Sequence, residues 1–292
     1  MEWHEPVLVE EVVSFLAPQP NWIMVDGTTG LGGHSRRIAE LLTAGGRLIS
    51  LDRDAQSLEI AKTNLADVAA GRIEFVHSRF SRLRQVLDSL GVEAVNGLLV
   101  DCGVSRYQLT SRERGFSFES DAVADMRMDQ SEDTETASDI VNFGSEEEIA
   151  RILFELGEER RARRVARAIV RARPIRSVHS LADVIESVVA RAGRVRGSTK
   201  SLQALRIHVN SELEELDALL SSLDKVLAPG ARVVFITFHS LEDRPVKRWF
   251  QSWHKQGRAQ VLTKHVVTPG EEEIRRNPAA RSAKLRALEW RG

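Results

Sequence analysis

The first group of residues whose types and spacing define a chemistry lies between positions 23 and 52. An apolar run, Ile23-Met24-Val25, ends in Asp26 and is followed by Gly27-Thr28-Thr29-Gly30-Leu31-Gly32-Gly33-His34-Ser35. This reads as a buried strand, an acid at its carboxyl end, a tight turn and a helix start, and the glycines let backbone approach a ligand closely. Nineteen positions after Gly33 a second apolar run, Arg47-Leu48-Ile49-Ser50-Leu51, ends in Asp52. An acid at that distance is placed to accept hydrogen bonds from ribose hydroxyls. The glycine pattern lacks the third glycine of a dinucleotide fingerprint and carries Ser35 there. The acids decide more. A pyrophosphate favours a bare helix N-terminus, whereas S-adenosylmethionine brings a sulfonium and an ammonium that need acceptors, and Asp26 is one. The residues favour S-adenosylmethionine over NAD, with Asp26, Gly30, Gly32, Gly33 and Asp52 in the cofactor site. Against this stand plainer roles: Asp26 as a turn or cap residue, and Asp52 as a solvated acid in Asp52-Arg53-Asp54.

A second group follows a fourth apolar strand, Leu99-Val100-Asp101-Cys102-Gly103-Val104-Ser105. Two chemistries compete. Asp101 can accept from an exocyclic amine and favour attack by its nitrogen on a sulfonium methyl. Cys102 is the candidate for the thiolate addition that methylation of a pyrimidine carbon requires. Cys102 has no proline or basic residue beside it, and strand alternation points it away from Asp101, so a small buried thiol fits it better. The third group, Phe238-His239-Ser240-Leu241-Glu242-Asp243-Arg244, follows another strand and should face the same crevice. His239 and Ser240 are its candidates for contact with the reacting group; the alternative is a helix cap. No Gly-x-Ser-x-Gly elbow surrounds Ser240, which argues against a hydrolase. The loop 103–129 interleaves arginine and aromatic residues, Arg114, Phe116, Phe118 and Arg127, either to clamp an extruded base or to form the core under a long loop. His4-Glu5-Pro6-Val7-Leu8 lacks zincin spacing, so no metal is expected.

These residues need a scaffold, and the rhythm of the chain supplies one. Helical periodicity covers 10–16, 35–42, 56–65 and 81–90, and apolar runs end at Asp26, Asp52, His77 and Asp101. Such βα units build a mostly parallel sheet whose carboxyl ends line one crevice. Between about 104 and 200 no convincing strand occurs, only loop, one helical run over 146–172, and a helix near 181–192. A long helix over 202–226 and a strand over 232–238 then resume the pattern, and 258–283 reads as an irregular excursion with the closing strands. The expected organisation is an α/β domain of residues 1–109 and 201–292, interrupted by a helical domain at 110–200.

At 292 residues and 42% apolar content the chain can bury a sizeable core. It has no apolar run of membrane-spanning length and no signal-peptide pattern, so a cytoplasmic address without membrane partners is expected. The single cysteine, Cys102, excludes an internal disulfide and any multi-cysteine zinc site. The net charge of −1 hides a segregation: acids dominate 113–148, and arginines dominate 151–176, including Arg164 and Arg167. That arginine run is either a solvated helix face paired with Glu155, Glu158 and Glu159, or a surface that tracks phosphates.

Taken together, the motifs around Asp26–Ser35, Leu51-Asp52-Arg53-Asp54, Arg114-Gly115-Phe116-Ser117-Phe118, Asp125-Met126-Arg127-Met128-Asp129, Gly157-Glu158-Glu159-Arg160, Val209-Asn210-Ser211-Glu212-Leu213-Glu214, Phe238–Arg244 and Asn277-Pro278-x-x-Arg281-Ser282 resemble the RsmH (MraW) family of bacterial 16S rRNA cytosine-N4 methyltransferases. The resemblance runs from His4 to Leu288 in the same order. It implies a class I S-adenosylmethionine-dependent fold with an inserted all-α domain, and methylation of a decoding-centre cytidine of the small ribosomal subunit. By that similarity Gly32, Gly33, His34, Asp52, Phe80, Asp101 and Gln108 fall on cofactor positions. Asp101 would orient the amine, His239 and Ser240 would contact the nucleotide, Asn210 would support their loop, and the arginines of the insertion would grip phosphates. The chain departs from the family at Arg106-Tyr107, at Ala122-Val123-Ala124 and at 197–204, all on the expected substrate side. Alternatives outside this reading are a C5 methyltransferase using Cys102, a nicotinamide oxidoreductase, and a non-catalytic rRNA-binding assembly factor.

Overall fold

The computed structural model describes residues 6–68, 71–191, 193 and 196–292, so the His4-Glu5 pair lies outside it. Two compact units emerge: one of residues 1–105 and 213–292, the other Arg106–Glu212.

In the first unit α1 (Val9–Leu16), β1 (Ile23–Asp26), α2 (Gly33–Ala39), β2 (Arg47–Asp52), α3 (Ala55–Asn64), β3 (Arg72–His77), α4 (Leu83–Ser89) and β4 (Val95–Asp101) follow one another. The seven-stranded sheet has the order β3-β2-β1-β4-β5-β7-β6, with β5 at Leu227–Thr237, β6 at Ala259–Val261 and β7 at Lys284–Trp290. The first five strands run parallel, while β7 is antiparallel to β5 and β6. This is the α/β arrangement of a class I methyltransferase. The order reverses between β1 and β4, the switch point outside which such sheets hold ligands.

Near-continuous apolar strands are what a sheet covered on both faces requires. Successive residues serve opposite layers. Val25, Ile49, Leu51, Leu98, Val100, Val233 and Phe235 pack with α4, with α11 (Glu212–Ser222) through Leu216, Leu219 and Leu220, and with α12 (Ser240–Lys255) through Val246, Phe250 and Trp253. Met24, Leu48, Leu99, Val234 and Ile236 instead pack with Val12 and Leu16 of α1 and Ile38 of α2. The expected excursion at 258–283 contains β6 and a short α13 (Glu271–Arg276).

The second unit contains, in chain order, α5 (Arg106–Thr110), α6 (Ala137–Phe143), α7 (Glu146–Glu155), α8 (Ala162–Arg171), α9 (Val178–Glu186) and α10 (Thr199–Asn210). It has no strand among the described residues. The single helix expected over 146–172 is two. Glu158 has a φ of 49°, and a side chain on Gly157 would lie 2.7 Å from the carbonyl oxygens of Leu153 and Lys200. The helix expected over 202–226 also divides, at Ser211, whose φ of 48° is left-handed. The helix expected over 181–192 is the shorter α9. In α8, Ala162, Val165, Ala166 and Ile169 face inward while Arg163, Arg164, Arg167 and Arg171 are exposed. Among the described residues no helix is long and apolar enough to cross a membrane.

Asn210, 1% exposed at the end of α10, pins the irregular loop of this unit. Its Oδ1 accepts from Met128 N–H at 2.7 Å, and its Nδ2 donates to Met126 O at 2.7 Å and Arg206 O at 2.8 Å. Met126 itself is left-handed at φ 61°. Replacing Asn210 by Ala would leave a buried N–H and a buried C=O without these partners. At about 1–3 kcal/mol for each group, Asn210→Ala should lower unfolding stability by about 2–6 kcal/mol, measured by denaturant titration.

Candidate functional site

The end of β1 and the turn after it form a cradle of backbone N–H groups organised by acids. Asp26 is fully buried; its Oδ2 accepts from Ser35 Oγ at 2.7 Å and its Oδ1 from Thr28 N–H at 3.2 Å. Ser35, which stands where a dinucleotide fingerprint has glycine, thus closes the turn onto the strand. Gly32 has φ 89°, and a Cβ there would meet Leu65 Cδ1 at 2.2 Å, so only glycine fits. Gly30 is also left-handed, and its N–H donates to Asp52 Oδ2 at 2.6 Å. The other oxygen of Asp52 accepts from Asp54 N–H at 2.8 Å. Asp52 is therefore a strut between the ends of β1 and β2, and each oxygen retains a second lone pair. Phe80 opens a 3₁₀ turn after β3; a Cβ on Gly27 would lie 3.5 Å from its Cβ. Gly33 opens α2, and a Cβ there would lie 2.9 Å from Pro6 Cγ.

Asp101 ends β4, the strand beside β1. Its backbone N–H donates to Thr28 Oγ1 at 2.6 Å, its Oδ1 accepts from Gly103 N–H at 3.3 Å, and its Oδ2 lies 3.8 Å from His34 Nε2. Its side chain is 22% exposed. Cys102 points the other way. It packs against the layer formed by Val100 and Phe235, and its N–H donates to Ile236 O.

Next along the sheet, β5 ends in Thr237, and His239 caps α12. Glu242 organises this turn. It is 2% exposed; its Oε2 accepts from Phe238 N–H at 2.8 Å and His239 N–H at 3.4 Å, and its Oε1 is 3.0 Å from His239 Nε2. Ser240 Oγ accepts from Arg244 Nη2 at 3.3 Å. The sequence reading left Glu242 and Thr28 out of the site. The signal for Glu242 was its place three residues into a helix that follows a strand, where a glutamate reaches back to the cap.

The structure thus brings Asp26, Gly30, Gly32, Gly33, His34, Asp52, Phe80, Asp101, His239 and Ser240 onto the first unit, at the carboxyl ends of β1 to β5 or just after them. Gln108, buried in α5, and Asn210 belong to the second unit. So do the arginine and aromatic candidates, and they divide. Arg114 is 2% exposed and donates to Met128 O at 2.8 Å and Arg127 O at 3.3 Å. Arg127 grips both oxygens of Asp125 at 2.8 and 2.9 Å, and Phe116 is buried. These three shape the loop. Phe118 is partly buried, with the Arg196 guanidinium 5.8 Å from its ring centre. Arg164 and Arg167 are exposed, Arg167 with Glu146 at 3.3 Å.

Electrostatics say what this site wants. Burial pushes Asp26 up to about 6 against the Ser35 and Thr28 hydrogen bonds. Burial pushes Asp52 up to about 6 against the N–H groups of Asp54 and Gly30, and the charges of Asp54 and Asp26 raise it too. Asp101 reaches about 7, chiefly through burial, with Asp26 and Glu242 adding repulsion. Three acids at neighbouring strand ends, one fully and two partly buried, with their pKa values raised, gain from a cation and lose from an anion. That donor set fits the sulfonium and ammonium of S-adenosylmethionine and disfavours a pyrophosphate.

Comparison with known proteins agrees. The MraW methylase family matches residues 1–291. Ribosomal RNA small subunit methyltransferase H of Solibacter usitatus (strain Ellin6076) is 49% identical over 99% of this chain and 100% of its own length. The protein of that name from Koribacter versatilis (strain Ellin345) is 46% identical over 97% of this chain and 93% of its own. That from Caldicellulosiruptor bescii is 43% identical over 98% of each. With the acid-rimmed sheet end already in place and the match running nearly end to end, this chain belongs to the MraW methylase family.

Proposed function

We propose that the protein transfers the methyl group of S-adenosylmethionine to N4 of a decoding-centre cytidine in 16S rRNA, acting in the cytoplasm on the small ribosomal subunit. The observation that carries the reading is the position of Asp101. It stands at the end of β4, with the carboxylates of β1 and β2 on one side and the His239-Ser240 turn after β5 on the other. Bound S-adenosylmethionine supplies an electrophilic methyl on a positively charged sulfur. On the protein side, Asp26, Asp52 and the glycine turn would hold the donor, with His34, Phe80 and Gln108 as further cofactor residues. Phe80 would offer an apolar wall for adenine.

The amine nitrogen of cytidine is a poor nucleophile because its lone pair is delocalised into the ring. Asp101 would accept a hydrogen bond from that amine and fix its direction, so that orientation does most of the catalytic work. His239 and Ser240 would contact the target nucleotide from the turn that Glu242 holds. Asn210 would support the substrate side through the loop it pins, and Arg164 and Arg167 would meet phosphates, with Phe118 beside them and Arg114, Phe116 and Arg127 shaping the loop. The opposite orientation of Cys102 supports nitrogen rather than ring-carbon attack.

Nucleoside mass spectrometry of 16S rRNA from cells with and without the protein should show loss of N4-methylated cytidine; unchanged nucleosides would sink the reading. Asp101→Ala should lower methyl transfer by about 10² to 10⁴ and leave donor binding measurable by calorimetry. Cys102→Ser should remain active, and an inactive variant would point to carbon methylation. The pH dependence should run in two directions. Carboxylates whose folded pKa is raised stabilise the free protein most below the ordinary carboxylate range, and that contribution is lost as pH rises through 6 to 7. Binding of the cationic donor needs them ionised, so affinity should fall as pH drops from 8 to 5.5, with proton release on binding near pH 6.5. Calorimetry in buffers of different ionisation enthalpy reads this, and a flat affinity across that range would contradict it.

A further inference from the structure

Helix α12 begins at the candidate catalytic turn, and its two faces carry different chemistry. Val246, Phe250 and Trp253 are buried against the sheet. The opposite stripe, Arg244, Lys247, Arg248, Gln251, His254 and Lys255, is exposed and follows helical spacing. It contains no acid. The two acids of the helix are both committed elsewhere: Glu242 is buried at the Phe238-His239 turn, and Asp243 is held by Arg286 at 2.7 and 3.0 Å. Asp243 also feels Lys284 and Lys247. Burial raises its carboxyl, but the Arg286 hydrogen bonds and these cations outweigh it and hold the group below the usual range. One carboxylate thus serves three cations, and the balance remains positive.

Local helix physics does not account for the pattern. His254 and Lys255 suit the negative end of the macrodipole. Arg244, Lys247 and Arg248 stand well before that end, and like charges at i,i+4, as at 244 and 248, destabilise a helix slightly. The exposed cations of this stripe, Lys247 and Arg248 first among them, offer charge complementary to an external anion. We infer that the exposed face of α12, through Lys247 and Arg248, is a docking surface for the phosphate backbone of the RNA strand that flanks the target base. The inference rests on RNA being the methyl acceptor, and it adds to the insertion a contact surface on the catalytic unit itself. The stripe extends from residue 244 to 255, roughly 16 Å at 1.5 Å per residue. It starts four residues beyond Ser240, so a strand bound there would run directly away from the reacting nucleotide. Phosphate contacts position a substrate without reading its sequence, which suits a surface whose charge comes from Lys247 and Arg248.

The test uses the full-length protein, tritiated S-adenosylmethionine, and small ribosomal subunits from cells lacking the protein. The double variant Lys247→Ala/Arg248→Ala should raise KM for subunits about fivefold to tenfold. It should also reduce the slope of log affinity against log salt by about 1 to 2, the amount expected for two phosphate contacts. Its kcat and its calorimetric affinity for S-adenosylmethionine should match the unaltered protein. The charge-conserving Lys247→Arg/Arg248→Lys variant should retain wild-type KM. Unchanged KM and salt slope in the alanine variant would overturn the inference while leaving methylation intact. Unchanged KM with lost binding to phosphatidylglycerol vesicles would overturn it in favour of a lipid surface. If the unaltered protein methylates no subunit RNA at all, the functional reading fails and the docking surface with it.

Discussion

Carboxylates resist removal from water unless something charged or hydrogen-bonding replaces it, and this protein gathers three of them at neighbouring strand ends. The sheet makes the arrangement possible. Parallel strands β2, β1 and β4 all end on one edge, so Asp52, Asp26 and Asp101 arrive there together. Their mutual repulsion and burial set the affinity of the crevice for positive charge before any ligand enters. Each acid is partly compensated by N–H or hydroxyl donors from the turns, and those same donors give the turns their shape.

The consequence is that recognition and architecture share atoms. Thr28 donates its N–H to Asp26, and its hydroxyl oxygen accepts from the Asp101 backbone N–H, joining the glycine turn to the end of β4. Gly30 is tied to Asp52 in the same manner. Glu242 does the equivalent work at β5: it fixes the Phe238-His239 backbone and repels Asp101 electrostatically. A change at any of these positions alters both the geometry and the charge of the crevice.

Much of this was legible in the sequence because strand-ending acids and glycine turns leave local marks. Asp26, Asp52, Asp101 and the four glycines could be ranked from an apolar run followed by a polar residue, since burial on both sheet faces demands that run. The orientation of Cys102 followed from alternation. What remained hidden depended on partners distant in sequence. Arg114 looked like an RNA contact, yet it is buried on the carbonyls of residues 127 and 128, because a long loop needs internal donors. The breaks at Gly157-Glu158 and Ser211 interrupt runs whose apolar spacing continues through them; left-handed backbone at a non-glycine residue leaves no periodic trace. Glu242 was visible as a residue type, but its double hold on the turn required the strand-to-helix geometry.

Strand β5, which presents the His239 turn, lies between β4 and β7, and β7 comprises residues 284–290. The central element of the reactive edge is therefore completed on one side by residues synthesised nearly fifty positions later. A polypeptide still emerging from its own ribosome has β5 with an open flank and an unfinished crevice. Only when the antiparallel strand has docked is β5, which carries the His239 turn at its end, flanked on both sides.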